Sequence, residues 1–83
     1  MGWNQVRPLK THPLFRGVPE TTSFYFVHSY FPEPADASMR LAETEYMITF
    51  TSAIVKDNLC AVQFHPEKSG RYGLLMLNNF LGL

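Results

Sequence analysis

An excess of charge of either sign is missing from this chain: seven Lys and Arg stand against seven Asp and Glu, a formal net charge of zero. A protein that grips nucleic acid or an anionic membrane by charge carries a basic excess, so neither is expected as a partner. No apolar run approaches the ~18–20 residues of a membrane-spanning helix. The opening Met1-Gly2-Trp3-Asn4-Gln5-Val6 lacks the basic-then-apolar order of a secretory signal, which leaves the cytoplasm as the expected compartment. Cysteine is nearly absent, and Cys60 by itself allows no internal disulfide. Repeats, low-complexity tracts and internal linkers are missing too, and nothing in the composition demands a cofactor.

What is present is apolar and aromatic. The 83 residues (9.5 kDa) are 46% hydrophobic and only 17% charged, with seven Phe, four Tyr and one Trp, a composition that folds. A chain this short hides about two-thirds of its unfolded surface at best. So much apolar surface implies a domain that associates, or a piece of something larger.

Trp3 to Val6 is a short extended candidate closed by Arg7-Pro8, because the residue before proline is pushed out of the helical region. Leu9 to Pro19 reads as loop, broken by Pro13, Gly17 and Pro19 and tethered by Leu14 and Phe15. Phe24 to Phe31 is aromatic and β-branched, with apolar residues on both parities, which predicts a strand covered on both faces. Met39 to Tyr46 reads as extended, with a helical alternative over Leu-Ala-Glu-Thr-Glu. Ile48 to Val55 and Leu59 to Phe64 flank a polar Lys56-Asp57-Asn58 turn and predict a hairpin. Arg71 to Leu81 predicts a helix with a broad apolar side, Ser69 as its N-cap and Gly82 at its end.

The chemistry-bearing stretch is Gln63-Phe64-His65-Pro66-Glu67-Lys68-Ser69, where a strand hands over to a helix. In a nucleophilic triad a histidine takes the proton of a thiol or hydroxyl while a carboxylate orients the imidazole. His65 and Glu67 have the residue types for those two parts. Spacing alone leaves a solvated His-Pro-Glu turn as the alternative. A metal site from His12, His28, His65 and Cys60 matches no zinc spacing, and none is expected.

QFHPEKS, together with Phe26-Val27-His28-Ser29-Tyr30 and Met1-Gly2-Trp3-Asn4, resembles class I glutamine amidotransferases. More narrowly, it resembles the glutaminase subunits of imidazole glycerol phosphate synthases, from histidine biosynthesis. Phe50-Thr51-Ser52-Ala53 and Asn79-Phe80-Leu81 fit the same pattern, so the resemblance runs from Met1 to about Leu81. That family hydrolyses glutamine with a Cys-His-Glu triad and passes ammonia to a barrel-shaped cyclase. The resemblance implies His65 as general base and Glu67 as its orienting carboxylate. It implies His28, Ser29 and Tyr30 as the loop that holds glutamine, and Tyr25, Lys68 and Trp3 as the cyclase-facing surface. Plain structural roles stay open for several of these: strand packing for Tyr25 and Tyr30, a hydrogen-bonded strand position for His28, a solvated Lys68, and a core-edge cover for Trp3.

The departures matter as much. The family's nucleophile is a cysteine on a strand-to-helix turn in the N-terminal half, and these residues contain no such turn. Cys60 does not replace it. It lies five residues before His65 on an extended run, about 16 Å away along a strand, and reads as a small buried apolar residue. Where the family usually has glycine after the tyrosine, this chain has Met47. Residues 1–83 are therefore expected to be a truncated C-terminal portion of a class I amidotransferase domain. The expected fold class is α+β: an antiparallel meander with one C-terminal helix, a partial piece of a flavodoxin-like fold. Such a chain is expected to be inactive alone and to self-associate as a homodimer or larger. The alternative is a partial glutaminase that supplies His65 and Glu67 to an N-terminal half in trans and delivers ammonia to a cyclase.

Overall fold

A computed structural model describes residues 2–27, 34, 36–57 and 59–82. Among the described residues six strands precede one α-helix: β1 (Gly2–Gln5), β2 (Arg7–Pro8), β3 (Ser23–Phe26), β4 (Arg40–Tyr46), β5 (Ile48–Lys56), β6 (Leu59–Val62) and α1 (Gly70–Leu81). Every pairing among the described residues is antiparallel, and the class is α+β as expected. The meander β4-β5-β6 is joined at one edge by β2, giving the order β2-β4-β5-β6, while β1 and β3 pair separately. Two sheets thus replace the one meander read from the sequence. The switch falls between Gln5 and Arg7: Val6 is buried and its N–H bonds Thr22 O at 3.0 Å, after which the chain leaves β3 for β4.

Burial alternates on β3: Phe24 and Phe26 are buried and Tyr25 is half-buried. The predicted two-sided cover does not extend over these four residues. Residues 28–31 of the predicted strand lie outside the described residues. Extended structure is confirmed over Arg40–Tyr46, and the helical alternative there falls away.

Phe50 and Ala53 both reach the core although they are three residues apart. The pairs Glu43–Thr51 and Ala42–Ala53 advance one residue on β4 and two on β5, so Ser52 forms a bulge that changes the face on which alternation continues. The β4–β5 connection is very tight: Tyr46 pairs with Ile48, and Met47 between them adopts φ 66° with its side chain 94% exposed. The β5–β6 hairpin stands where the sequence placed it, with Asp57 at φ 55° in its turn.

The core brings Phe24, Phe26, Phe50 and Phe64 together. Phe64 lies 4.6 Å from Phe24 and 5.6 Å from Phe26 between ring centroids. Leu14 and Phe15, in a 3₁₀ turn at Pro13–Phe15, are buried as a tether should be. Asn79 fastens that segment to α1, donating from Nδ2 to Leu14 O (3.0 Å) and Arg16 O (2.8 Å). The helix buries only Gly73 and Met76, with Tyr72 partly covered. Leu75 is half-buried, and Leu74, Leu77, Phe80 and Leu81 are exposed.

Candidate active site at the His65–Glu67 turn

β6 ends at Val62, and Phe64 dives into the core, which fixes where the chain must leave the sheet. Pro66 follows at the first position of a 3₁₀ turn, Pro66–Lys68, where its missing N–H costs nothing and its fixed φ favours the bend. The turn is closed by Lys68 N–H to His65 O and Ser69 N–H to Pro66 O, both 3.0 Å. With His65 extended at the head of this turn and Glu67 within it, His65 Nδ1 lies 3.0 Å from Glu67 Oε2.

Glu67 is exposed (55%), and its carboxyl is held below the ordinary range, first by the hydrogen bond with His65 and then by one from its own backbone N–H. An ionised carboxylate can only accept, so the shared hydrogen sits on Nδ1. In the neutral ring that places the lone pair on Nε2, the tautomer a general base needs. The His65 ring is 34% exposed, partly sheltered yet open to a reactant.

Cys60 takes no part in this pair. It lies on β6 opposite Val55 of β5, packs half-buried against the core, and burial pushes its thiol pKa up, so it is a poor nucleophile. His12 is likewise occupied, its Nδ1 accepting the Leu14 N–H at 3.1 Å. Among the described residues, no three of His, Cys, Asp and Glu gather as metal ligands would.

Trp3 and Tyr25 are register partners on β1 and β3, with rings edge-to-face at 5.7 Å between centroids. Tyr25 is also tied to the site, its carbonyl accepting the His65 N–H at 2.8 Å. Trp3 is 55% exposed and Lys68 is exposed on the turn. His28, Ser29 and Tyr30 lie outside the described residues.

Two residues that build the site escape a reading by residue type. Ser69, expected as an N-cap, makes no side-chain cap bond. Its Oγ instead accepts from Tyr25 N–H (2.9 Å) and donates to His65 O (2.5 Å). Gly73 lets α1 approach the turn, since a Cβ there would stand 2.0 Å from Pro66 O. A glycine inside a helical pattern was the available signal for the second. Nothing local signals the first, because both partners of Ser69 are fixed by tertiary contact.

The model of the glutamine amidotransferase class-I family matches residues 1–82. The chain belongs to that family. It is 56% identical over 81 residues to the imidazole glycerol phosphate synthase subunit HisH of Aromatoleum aromaticum, covering 98% of this chain and 38% of that protein. It is 52% identical over 80 residues to the HisH subunit of Dehalococcoides mccartyi, covering 96% and 39%, and 49% identical over 81 residues to that of Nitrosococcus oceani, covering 98% and 39%. The chain thus spans under two-fifths of the length of these curated relatives.

Proposed function

We propose that this chain carries the base and orienting carboxylate of a glutaminase site, His65 and Glu67, and that the nucleophilic cysteine comes from a segment outside these 83 residues. The observation that carries the reading is the 3.0 Å contact between His65 Nδ1 and an ionised Glu67 at the end of β6. In this reading the residues correspond to the C-terminal portion of the amidotransferase domain, His28, Ser29 and Tyr30 hold glutamine, and the reaction serves imidazole glycerol phosphate synthase in the cytoplasm. Trp3, Tyr25 and Lys68 face the cyclase, which takes up the ammonia. With Cys60 packed against the core on its strand and its thiol pKa raised, residues 1–83 alone are inactive.

The test mixes the chain with a cysteine-bearing amidotransferase segment and the cyclase. Ammonia that depends on glutamine and disappears in His65→Ala supports the reading. Absence of ammonia in every combination removes it.

A second reading, self-association as a homodimer or larger, is favoured by the exposed stripe of Leu74 (63%), Leu77 (36%) and Leu81 (81%) on α1. Light scattering on the 83-residue chain decides it. A discrete dimer that dissociates in Leu74→Glu/Leu77→Glu is the expected result, and a monomer at micromolar concentration refutes it.

A further inference from the structure

Resting on the glutaminase reading of His65 and Glu67, we infer that Ser69 is a positioning residue for that pair, locking the His65 backbone so that its ring presents Nδ1 to Glu67. Ser69 is buried (4%) although it is polar and stands at the head of a helix. A serine there normally gives its oxygen to the first helical amides. This one caps nothing and spends its hydroxyl on β3 and the turn.

One hydroxyl offers one donor and two acceptor sites. The donor goes to His65 O at 2.5 Å, and an acceptor takes Tyr25 N–H at 2.9 Å. The Tyr25 peptide is engaged again through its carbonyl, which accepts the His65 N–H at 2.8 Å. The result is a closed circuit: His65 N–H to Tyr25 O, Tyr25 N–H to Ser69 Oγ, Ser69 Oγ–H to His65 O. Lys68 N–H adds a second hydrogen bond to that last carbonyl. Both peptide groups of His65 are therefore pinned.

The pinning matters because the His65–Glu67 contact lies in a half-open site. With a third of the His65 side chain exposed and Glu67 more so, packing restrains the pair weakly, and ring direction follows from the backbone at residue 65. Gly73 supports the same arrangement from the other side: a Cβ there would meet Ser69 Cβ at 2.8 Å as well as the Pro66 carbonyl. Helix, serine and strand close on one turn, and that turn holds the two residues of the site.

The experiment reads the neutral His65 ring by its two ¹⁵N shifts in the 83-residue protein, which give the ratio of Nδ1–H to Nε2–H tautomers without requiring activity. The native chain is expected to favour Nδ1–H, the form Glu67 accepts from, and Glu67→Ala to lose that preference. Ser69→Ala is expected to lower the ratio roughly fivefold, the weight of one hydrogen bond. Ser69→Thr, which retains the hydroxyl, restores it. Val6→Ala, a core truncation outside the turn, serves as the control and lowers the melting temperature with the ratio unchanged. If Ser69→Ala is too unstable to study, Ser69→Cys, with a weaker donor and acceptor, gives an intermediate ratio.

A ratio unchanged in Ser69→Ala or Ser69→Cys, with Glu67→Ala shifted, overturns the positioning role and leaves the glutaminase reading untouched. A shifted ratio without ammonia production in any reconstituted mixture leaves the positioning role standing and removes the glutaminase reading.

Discussion

Replacing Gly73 by alanine adds one methyl group where the fold has no space for it. The new Cβ would sit 2.0 Å from the Pro66 carbonyl oxygen, 2.8 Å from Ser69 Cβ and 3.0 Å from the Pro66 carbonyl carbon. Favourable separations between carbon atoms are about 3.5–4.0 Å, so the helix or the turn must retreat by more than about 1 Å. Two of the three obstacles are backbone atoms, and the third belongs to a side chain with both hydrogen-bonding roles filled, so rotamer changes bring no relief. Overpacking of this kind costs about 1–3 kcal/mol, and here the upper end applies. Alanine returns about 1 kcal/mol through better helix propensity. The net loss is about 2 kcal/mol, or a melting temperature roughly 10 °C lower at this chain length. Thermal unfolding followed by circular dichroism measures it, with Gly82→Ala as the control, since its nearest contact would be an ordinary 3.6 Å. A Gly73→Ala protein as stable as the native one, or more stable as propensity alone demands, refutes the packing argument. In the proposed glutaminase site the same displacement would reach His65 and Glu67, where a misplacement of about 1 Å at a reacting group costs on the order of 10²-fold in rate.

Three further outcomes are expected. Met47→Gly should raise stability by about 0.5–1 kcal/mol, because Met47 holds φ 66° while its side chain is 94% exposed and packs on almost nothing. An unchanged urea midpoint would contradict that. Phe64→Ala removes a ring held between Phe24 and Phe26 and should cost about 3–5 kcal/mol, enough to unfold much of a small domain. A cooperative transition within a few degrees of the native one would show that the ring cluster matters less. The carboxyls of Glu67 and Asp36 are held below their ordinary values of 4.5 and 3.8, Glu67 chiefly by His65 and Asp36 chiefly by the Ser38 hydroxyl. Their contribution is present above those values and lost as pH falls through the lower folded ones, so stability should decline from about pH 5 downward. The decline should be shallower in Glu67→Gln/Asp36→Asn, and identical acid profiles would count against both shifts.

Much of the fold was legible from residue type and spacing. The hairpin at Lys56-Asp57-Asn58 appears in place because a polar turn between two strand-like runs leaves few alternatives, and Asp57 takes the positive φ that such turns use. The helix begins at Gly70, one residue before its predicted start, and Leu14 and Phe15 are buried as predicted. The split into two sheets was not legible. It depends on Val6 leaving β3 for the neighbourhood of β4, a choice made by long-range pairing. Nor did alternation along β5 predict its buried face, because the bulge at Ser52 changes parity midway.

At the site, the sequence by itself determined the actors. His65, Pro66 and Glu67 lie close along the chain, proline favours the bend, and across that bend a ring nitrogen stands within hydrogen-bond reach of a carboxylate two residues on. Family membership follows from the same motifs, since it too is written in order and spacing. Tertiary structure alone decided what holds those actors still. Ser69 is one residue from the turn's end in sequence, but its value lies in Tyr25, 44 residues away, and Gly73 is required only because a helix packs onto the Pro66 carbonyl. Short-range chemistry can be read from neighbours along a chain, whereas the partners of a hydroxyl or the room for a methyl group exist only once distant segments have met.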